Sequence, residues 1–422
     1  MKRASIAVAF GLTALAPLSA RADDGVAPVA AKSWPQFHGS RRDNISPDTG
    51  LLTTWPKGGP KLIWRFSECG GGYSTVSIAG GLIFTSGDFG RRQRVLALDL
   101  AGKLVWQSPN GDAWKGPYPG ARTTPTYSEG VVYQMNPTGR LAAFEANSGK
   151  EVWTVDLAKA YGARPARWAL AENVIIDGKA LLCVPGGPRG RVVALDKATG
   201  KCLWANTGIT QPAAYSSPLI IEHGASRQLV VILQKSVVGV EVATGKLLWT
   251  HPHTTKHDQN VMMPMYVDGS VYVSSGHGTG GRALKLSDDG TSVKEVWLSK
   301  DQDNCHGGVI HVDGYLYASG CRLYRKGLVC IDFATGKTAW NEPKLGKVSL
   351  AYADGMLYCF SDKGKMSLVE ADYKACKTAG SFTIPRDRKG LCLSHPVIFG
   401  GRMYVRDWNN LLVYDVKDPS RK

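Results

Sequence analysis

A tryptophan closes the same short phrase again and again in this chain. That repetition narrows the available folds more than any other feature. ALDLAGKLVW (97–106), AFEANSGKEVW (143–153), ALDKATGKCLW (194–204), GVEVATGKLLW (239–249) and CIDFATGKTAW (330–340) each read as a strand, an acidic residue, a Gly-Lys turn and a strand carrying Trp. Weaker copies end at Trp64 and Trp297, and a degenerate one runs from Cys376 to Phe382. Successive tryptophans from Trp64 to Trp340 stand 42 to 51 residues apart. Before most copies comes a second pattern, with alternating apolar residues on either side of a two-residue turn. PTYSEGVVYQM, NVIIDGKALLCV, PMYVDGSVYVSS, VIHVDGYLYAS, LAYADGMLYCF and PVIFGGRMYVR are the examples, and each reads as a β-hairpin.

Two hairpins per unit give four antiparallel strands, A to D, and units of this length with four strands are propeller blades. Seven blades run from Ser74 to about Ile384. An eighth begins at Ser394 but reaches only Val416, without a D strand, while LIWRF around Trp64 is a D strand without a blade. The expected fold is therefore all-β: a single eight-bladed propeller of four-stranded antiparallel blades, closed by pairing of its N- and C-terminal strands. Closure removes the open sheet edges. A β-sandwich would not explain a tryptophan in every unit. The expected organisation is a signal peptide over 1–22, an N-terminal extension over 23–60 and the propeller over 61–418.

The phrase AxDxxTGKxxW resembles the repeat of the PQQ-like, tryptophan-docking propellers, across essentially the whole mature chain. Quinoprotein alcohol dehydrogenases and the propeller lipoprotein of outer-membrane assembly share the eight-bladed form. WPQFHGSRRDNISPDTGLLTTWPKGGPKLIW is also similar to the opening of exported bacterial propellers of this family. The repeat specifies the fold; it does not specify an activity. The repeated acids (Asp99, Glu145, Asp196, Glu241, Asp332) and tryptophans recur in every unit, so their role is architectural. The acid accepts turn amides, and the indole fills the wedge between blades.

The first residues, MKRASIAVAFGLTALAPLSARADD, carry a positive start, an apolar stretch too short to span a bilayer and an Ala20-Arg21-Ala22 cleavage pattern. They read as a secretory signal with no lipidation cysteine, which predicts a periplasmic or secreted protein. No later apolar run is long enough for a membrane span. Removing Lys2, Arg3 and Arg21 with no acid lowers the net charge from +16 to +13. So basic an exported chain favours anionic partners: an anionic small molecule, an acidic glycan or an envelope protein. No nucleic-acid motif is present, and a monomer is expected. The nine cysteines contain no CxxC, which excludes a zinc ribbon and covalent haem. Cys321 and Cys330 flank a hairpin turn and are the expected disulfide.

Blade topology puts the D-to-A and B-to-C loops on one face, the top, where they are long and basic. Arg91, Arg92, Arg94, Arg122, Arg164, Arg167, Arg189, Arg191, Arg322, Arg325 and Lys326 fall there. Aligning the A strands places Tyr73, Arg122, Leu170, Tyr215, Val261, His306, Lys347 and Leu393 at the channel mouth. The expected cofactor- or ligand-binding residues are Tyr73, Arg122, Arg167, Trp168, Tyr215, Asn260, His306 and His395, an aromatic and cationic set suited to a flat or sugar-like ligand. HPHTTKHD, SGHGTGG and Cys305-His306 make His251, His253, His257, His277 and His306 candidate ligands for a divalent metal.

The resemblance implies PQQ as a cofactor, with a vicinal Cys-Cys disulfide, a calcium set of Glu, Asn and Asp, and a catalytic Asp. The chain has no adjacent cysteines, and Glu172, Asn173 and Asp258 match the calcium set loosely. The leading expectation is a ligand- or protein-binding scaffold acting through a basic top face. The alternative is a PQQ-dependent alcohol or sugar dehydrogenase with a divergent cofactor site. Cleavage of acidic glycans is compatible with the histidines but has no motif behind it. No catalytic residue is named.

Overall fold

The computed structural model describes Met1, residues 33–320 and residues 327–421. Apart from Met1 the expected signal peptide lies outside the described residues, as do Cys321, Arg322, Arg325 and Lys326. Among the described residues no helix is long and apolar enough to cross a membrane.

Eight four-stranded antiparallel sheets form the ring. Blades 1 to 7 span 77–112, 126–156, 175–206, 219–252, 265–299, 309–342 and 348–383. In blade 8, the strands Val397–Phe399, Arg402–Asp407 and Asn410–Asp415 are completed by Lys61–Phe66. Lys61 pairs with Asp415 and Phe66 with Leu411, so the two ends of the propeller share one sheet as the sequence predicts.

Each D strand carries a one-residue register shift, just before its tryptophan in every blade but the seventh: Leu104 and Trp106 face consecutive residues, Leu98 and Ala97. The skipped residue is pushed to the outer rim, which is why Val105, Val152, Leu203 and Val296 are exposed. The bulge also increases local twist and turns the indole toward the next blade. There Trp106 donates to the Ala146 carbonyl at 2.8 Å, Trp153 to Lys197 at 2.9 Å and Trp204 to Val242 at 3.0 Å. Trp64, Trp297 and Trp340 dock on the next blade in the same way. The turn glycine beneath the Trp64, Trp106, Trp153, Trp204 and Trp297 indoles must be glycine for two reasons. At Gly245, φ is +77° and an added Cβ would lie 2.4 Å from the Trp204 ring. The repeated acids behave as expected: Asp99 accepts the amides of Ala101 and Lys103, and Asp196 those of Ala198 and Thr199.

Trp249 departs from the pattern. Blade 5 turns through Asp288-Asp289-Gly290, not Thr-Gly-Lys, and Trp249 donates to Gln228 Oε1 of its own blade at 2.7 Å. Gln228 Nε2 then reaches the Gly290 carbonyl at 2.7 Å, so an amide relays the contact between blades. In blade 7 the tryptophan position is Gly380, against which Trp55 packs, and Phe382 two residues on packs against Trp55 and Tyr414.

The segment after residue 33 crosses the central channel. Trp34 pairs with Ile78 of blade 1, and the Tyr127 amide of blade 2 donates to the Pro35 carbonyl. Arg42 is clasped by the Asn173 and Val174 carbonyls at the entry to blade 3. Asn44 donates to the Leu350 carbonyl of blade 7, and Ile45 bridges Tyr352. The chain leaves along blades 7 and 8, where the Leu52 amide meets the Val416 carbonyl and the Trp55 amide the Ala379 carbonyl.

The disulfide expectation is corrected. Cys330 is a free thiol buried between blades 6 and 7. Cys305 is disulfide-bonded, and the other seven described cysteines are free, so its partner is not among them. Cys330 sits on an inner strand whose side chain faces the core, so symmetry about the turn was not a guide to pairing.

Candidate functional site

The D-to-A loops converge on a cavity of about 490 Å³ at the top mouth of the channel. Of the eight aligned positions, Tyr73, Arg122, Tyr215, Val261, His306, Lys347 and Leu393 line it. Leu170 does not: Ala169 turns through φ +74° and sends Leu170 into the core between blades 2 and 3, leaving Trp168 and Ala171 on the wall. His395 also lines the cavity.

One wall is a run of perpendicular rings. Trp168 meets Tyr215 at 5.7 Å and His257 at 6.2 Å, and His257 meets His277 at 6.0 Å. Opposite, Tyr73 packs edge-on against Trp408 at 5.6 Å, with Arg388 over the indole. The floor is Phe37 and His38 from the channel-crossing segment. Phe37 stacks on His38 at 3.8 Å, and His38 Nε2 lies 2.9 Å from His395 Nδ1. Below this floor a second cavity of about 560 Å³ opens toward the A-to-B turns, and His38 borders both. The sequence reading missed Phe37 and His38 because it treated 23–60 as an extension. Their aromatic and polar density in WPQFHGSRRDN was the available signal.

The remaining expected site residues sit elsewhere. Arg167 lies over the Trp168 ring at 5.3 Å, outside the cavity lining. Asn260 is buried behind the wall, where its amide donates to the Leu233 and Gln234 carbonyls and it accepts from Ser275. Several basic-rim arginines hold loops together. Arg122 donates to the carbonyls of Gly120, Pro117, Tyr118 and Trp168. Arg189 and Arg191 likewise bind backbone carbonyls. Burial pushes the Arg122 guanidinium down to about 10, which leaves it charged at neutral pH.

The five histidines do not form one ligand set. His251 lies 3.9 Å from Glu295 on an outer strand. His253 is buried against Ser275, and burial drives its imidazole down to about 3. His257, His277 and His306 line the cavity, and His277 Nε2 meets Gln259 at 2.7 Å. Among the described residues no three His, Cys, Asp or Glu side chains are grouped as a metal ion requires.

Residues 91–342 match the family described as outer membrane protein assembly factor BamB. The match spans more than half of the chain, which belongs to this family of PQQ-like eight-bladed propellers. Its relatives divide between two kinds of protein. Over 238 residues it is 27% identical to the quinohemoprotein alcohol dehydrogenase ADH IIB of Pseudomonas putida, covering 53% of this chain and 33% of that protein. Over 159 residues it is 29% identical to the outer membrane protein assembly factor BamB of Salmonella typhimurium, covering 36% of this chain and 37% of that one. The chain thus spans about a third of the length of these relatives. Among solved structures, BamB from Moraxella catarrhalis superposes with a TM-score of 0.62 at 14% identity, over 84% of this chain and 99% of that one. The quinohemoprotein alcohol dehydrogenase from Comamonas testosteroni gives 0.65 at 13%, over 95% and 83%. At such identities the likeness is one of fold.

The family resemblance raises the question of a quinone cofactor. A flat tricarboxylate is small enough for the cavity, but the described residues offer no ligand set for a metal cation that would polarise its carbonyl. Glu172 Oε1 accepts the Val184 amide, and burial pushes its carboxyl up to about 8, so it holds a proton at neutral pH. With no metal-competent group among the described residues, no quinone-dependent step is assigned to this chain.

Proposed function

We propose that this chain is an exported binding propeller whose channel-mouth cavity takes a ring-shaped ligand bearing a carboxylate. The observation that carries the reading is the composition of the wall. Arg122, Lys347 and five imidazoles line the cavity alongside Tyr73, Trp168 and Tyr215, and no Asp or Glu appears among the described lining residues. Cations fixed in a half-enclosed cavity attract an anion, and aromatic faces and edges pack against a flat or sugar ring. The size falls within the roughly 300–1,000 Å³ usual for small-molecule sites. A rigid ring of blades preorganises such a cavity, which favours binding without rearrangement.

The test is calorimetric titration with trigalacturonate and with trimesate, two carboxylate-bearing ring probes, followed by Trp168→Ala. Saturable one-to-one binding at about 0.1 mM or tighter, lost in the variant, supports the reading. Reduction of an electron-accepting dye by an alcohol after loading with PQQ and Ca²⁺ would overturn it in favour of a dehydrogenase. Export is part of the same proposal, and cell fractionation with N-terminal sequencing of the mature chain tests it.

A further inference from the structure

Three histidines from distant parts of the chain meet at the cavity floor. His38 arrives on the channel-crossing segment, His395 precedes blade 8, and His306 precedes blade 6 beside the disulfide-bonded Cys305. His38 Nε2 lies 2.9 Å from His395 Nδ1, and His395 Nε2 lies 2.8 Å from the His306 carbonyl oxygen. A carbonyl oxygen only accepts, so His395 donates from Nε2. Its Nδ1, in the neutral ring, is then an acceptor, and His38 donates from Nε2. The chain of bonds therefore has one direction. Burial keeps both rings neutral: His395 is pushed down to about 4, and His38 well below the ordinary imidazole value.

This chain ends on the backbone of His306 and leaves its ring unused. Both His306 ring nitrogens are buried, and neither has a hydrogen-bond partner among the described residues. Buried polar groups in folded proteins are nearly always satisfied, so one that borders a cavity without a protein partner is free to bond whatever occupies that cavity, solvent or ligand. The ring borders the cavity with Lys347, and burial first and that charge second oppose its protonation. A neutral imidazole offers one donor and one acceptor, the complement of a carboxylate next to a hydroxyl.

We infer that His306 is the ligand-reading imidazole of this cavity, bonding the carboxylate or an adjacent hydroxyl of the bound ring, and that His395 and His38 are positioning residues that fix where it stands. The inference rests on the binding function proposed above and names the contact that selects the ligand. His38 reaches the site only because the N-terminal segment threads the channel, so selectivity depends on a part of the chain outside the repeats.

The experiment uses the full mature chain and the same two probes. His306→Leu removes two unsatisfied buried nitrogens, so without probe its thermal midpoint is expected to match or exceed that of the unmodified chain. Its affinity for both probes is expected to fall about tenfold or more. His38→Leu is expected to weaken binding about fivefold, and His38→Gln, which keeps an amide donor, to restore most of it. In ¹⁵N spectra the His306 ring signals should move on saturation. Unmodified protein that binds a probe, with His306→Leu binding equally well or the His306 signals unmoved, overturns the inference and leaves the cavity reading standing. If the unmodified chain binds neither probe, the cavity reading fails and the inference falls with it.

Discussion

Replacing Arg42 with alanine should loosen the cavity floor without unfolding the ring. Arg42 is buried at φ +58° and donates to Gln36 Oε1 at 3.0 Å, the Val174 carbonyl at 3.1 Å and the Asn173 carbonyl at 2.9 Å. Among the described residues no carboxylate forms an ion pair with it. Glu172 lies nearby but holds its proton at neutral pH, whereas the guanidinium, pushed down to about 9 by burial, stays charged. Hydrogen bonds from a charged donor contribute about 1.5–3 kcal/mol each, and relief of the buried charge offsets part of that. The net loss should be about 2–4 kcal/mol, borne by the segment and not by the blades. At about 1.4 kcal/mol per factor of ten, protection of the segment amides falls roughly 30- to 1,000-fold. Hydrogen exchange read by mass spectrometry resolves this. Peptides covering 36–46, which include the Asn44 amide bonded to the His38 carbonyl and the Ser46 amide bonded to Tyr352, should exchange faster, while blade peptides keep their rates. Unchanged protection over 36–46, or an equal loss in every blade, would refute the reasoning.

Three further outcomes follow from the same contacts. Gly245→Ala drives a methyl into the Trp204 ring at a positive φ, which should cost about 2–4 kcal/mol by chemical denaturation; a change within error would mean the indole dock has slack. Glu172→Gln tests the buried carboxyl. Its folded value of about 8 exceeds the unfolded one, so the native chain loses stability as pH rises toward 8. The slope is at most about 1.4 kcal/mol per unit. The glutamine variant should gain thermal midpoint over the original between about pH 5 and pH 8, and parallel curves would contradict this. Of the described free cysteines only Cys202 is exposed, while burial pushes the Cys330 and Cys392 thiols up to about 12. A thiol reagent should therefore label Cys202 first in the native protein, and mapping by peptide digestion checks it.

The parts of the fold that were legible in sequence are those set by local chemistry repeated in register. Asp196 accepting its own turn amides, Gly200 turning through a positive φ and Trp204 on the next strand are all readable within a dozen residues. Closure of the ring was legible because a D strand without a blade and a blade without a D strand have one joint solution. Cavity residues were legible as far as alignment on the A-strand turns reached. Leu170 escaped that alignment through the left-handed turn at Ala169. The floor was not legible, because its contacts are remote: Arg42 reaches carbonyls 131 and 132 residues away, and His38 meets His395 across 357. The arginine-rich rim was legible as a charge but not as a set of donors. Sequence gives the sign of a charge but not whether loop carbonyls already take up its donors, as they do at Arg122.

The account stands on a single pocket at the top of the channel, floored by the chain's own N-terminal segment. A crystal structure of the protein soaked with trigalacturonate is its most direct test. The account predicts ordered sugar packed against Trp168, with a carboxylate or hydroxyl oxygen within hydrogen-bond distance of the His306 ring. Sugar ordered only on the outer rim or in the lower cavity, with the His306 nitrogens untouched, would contradict it.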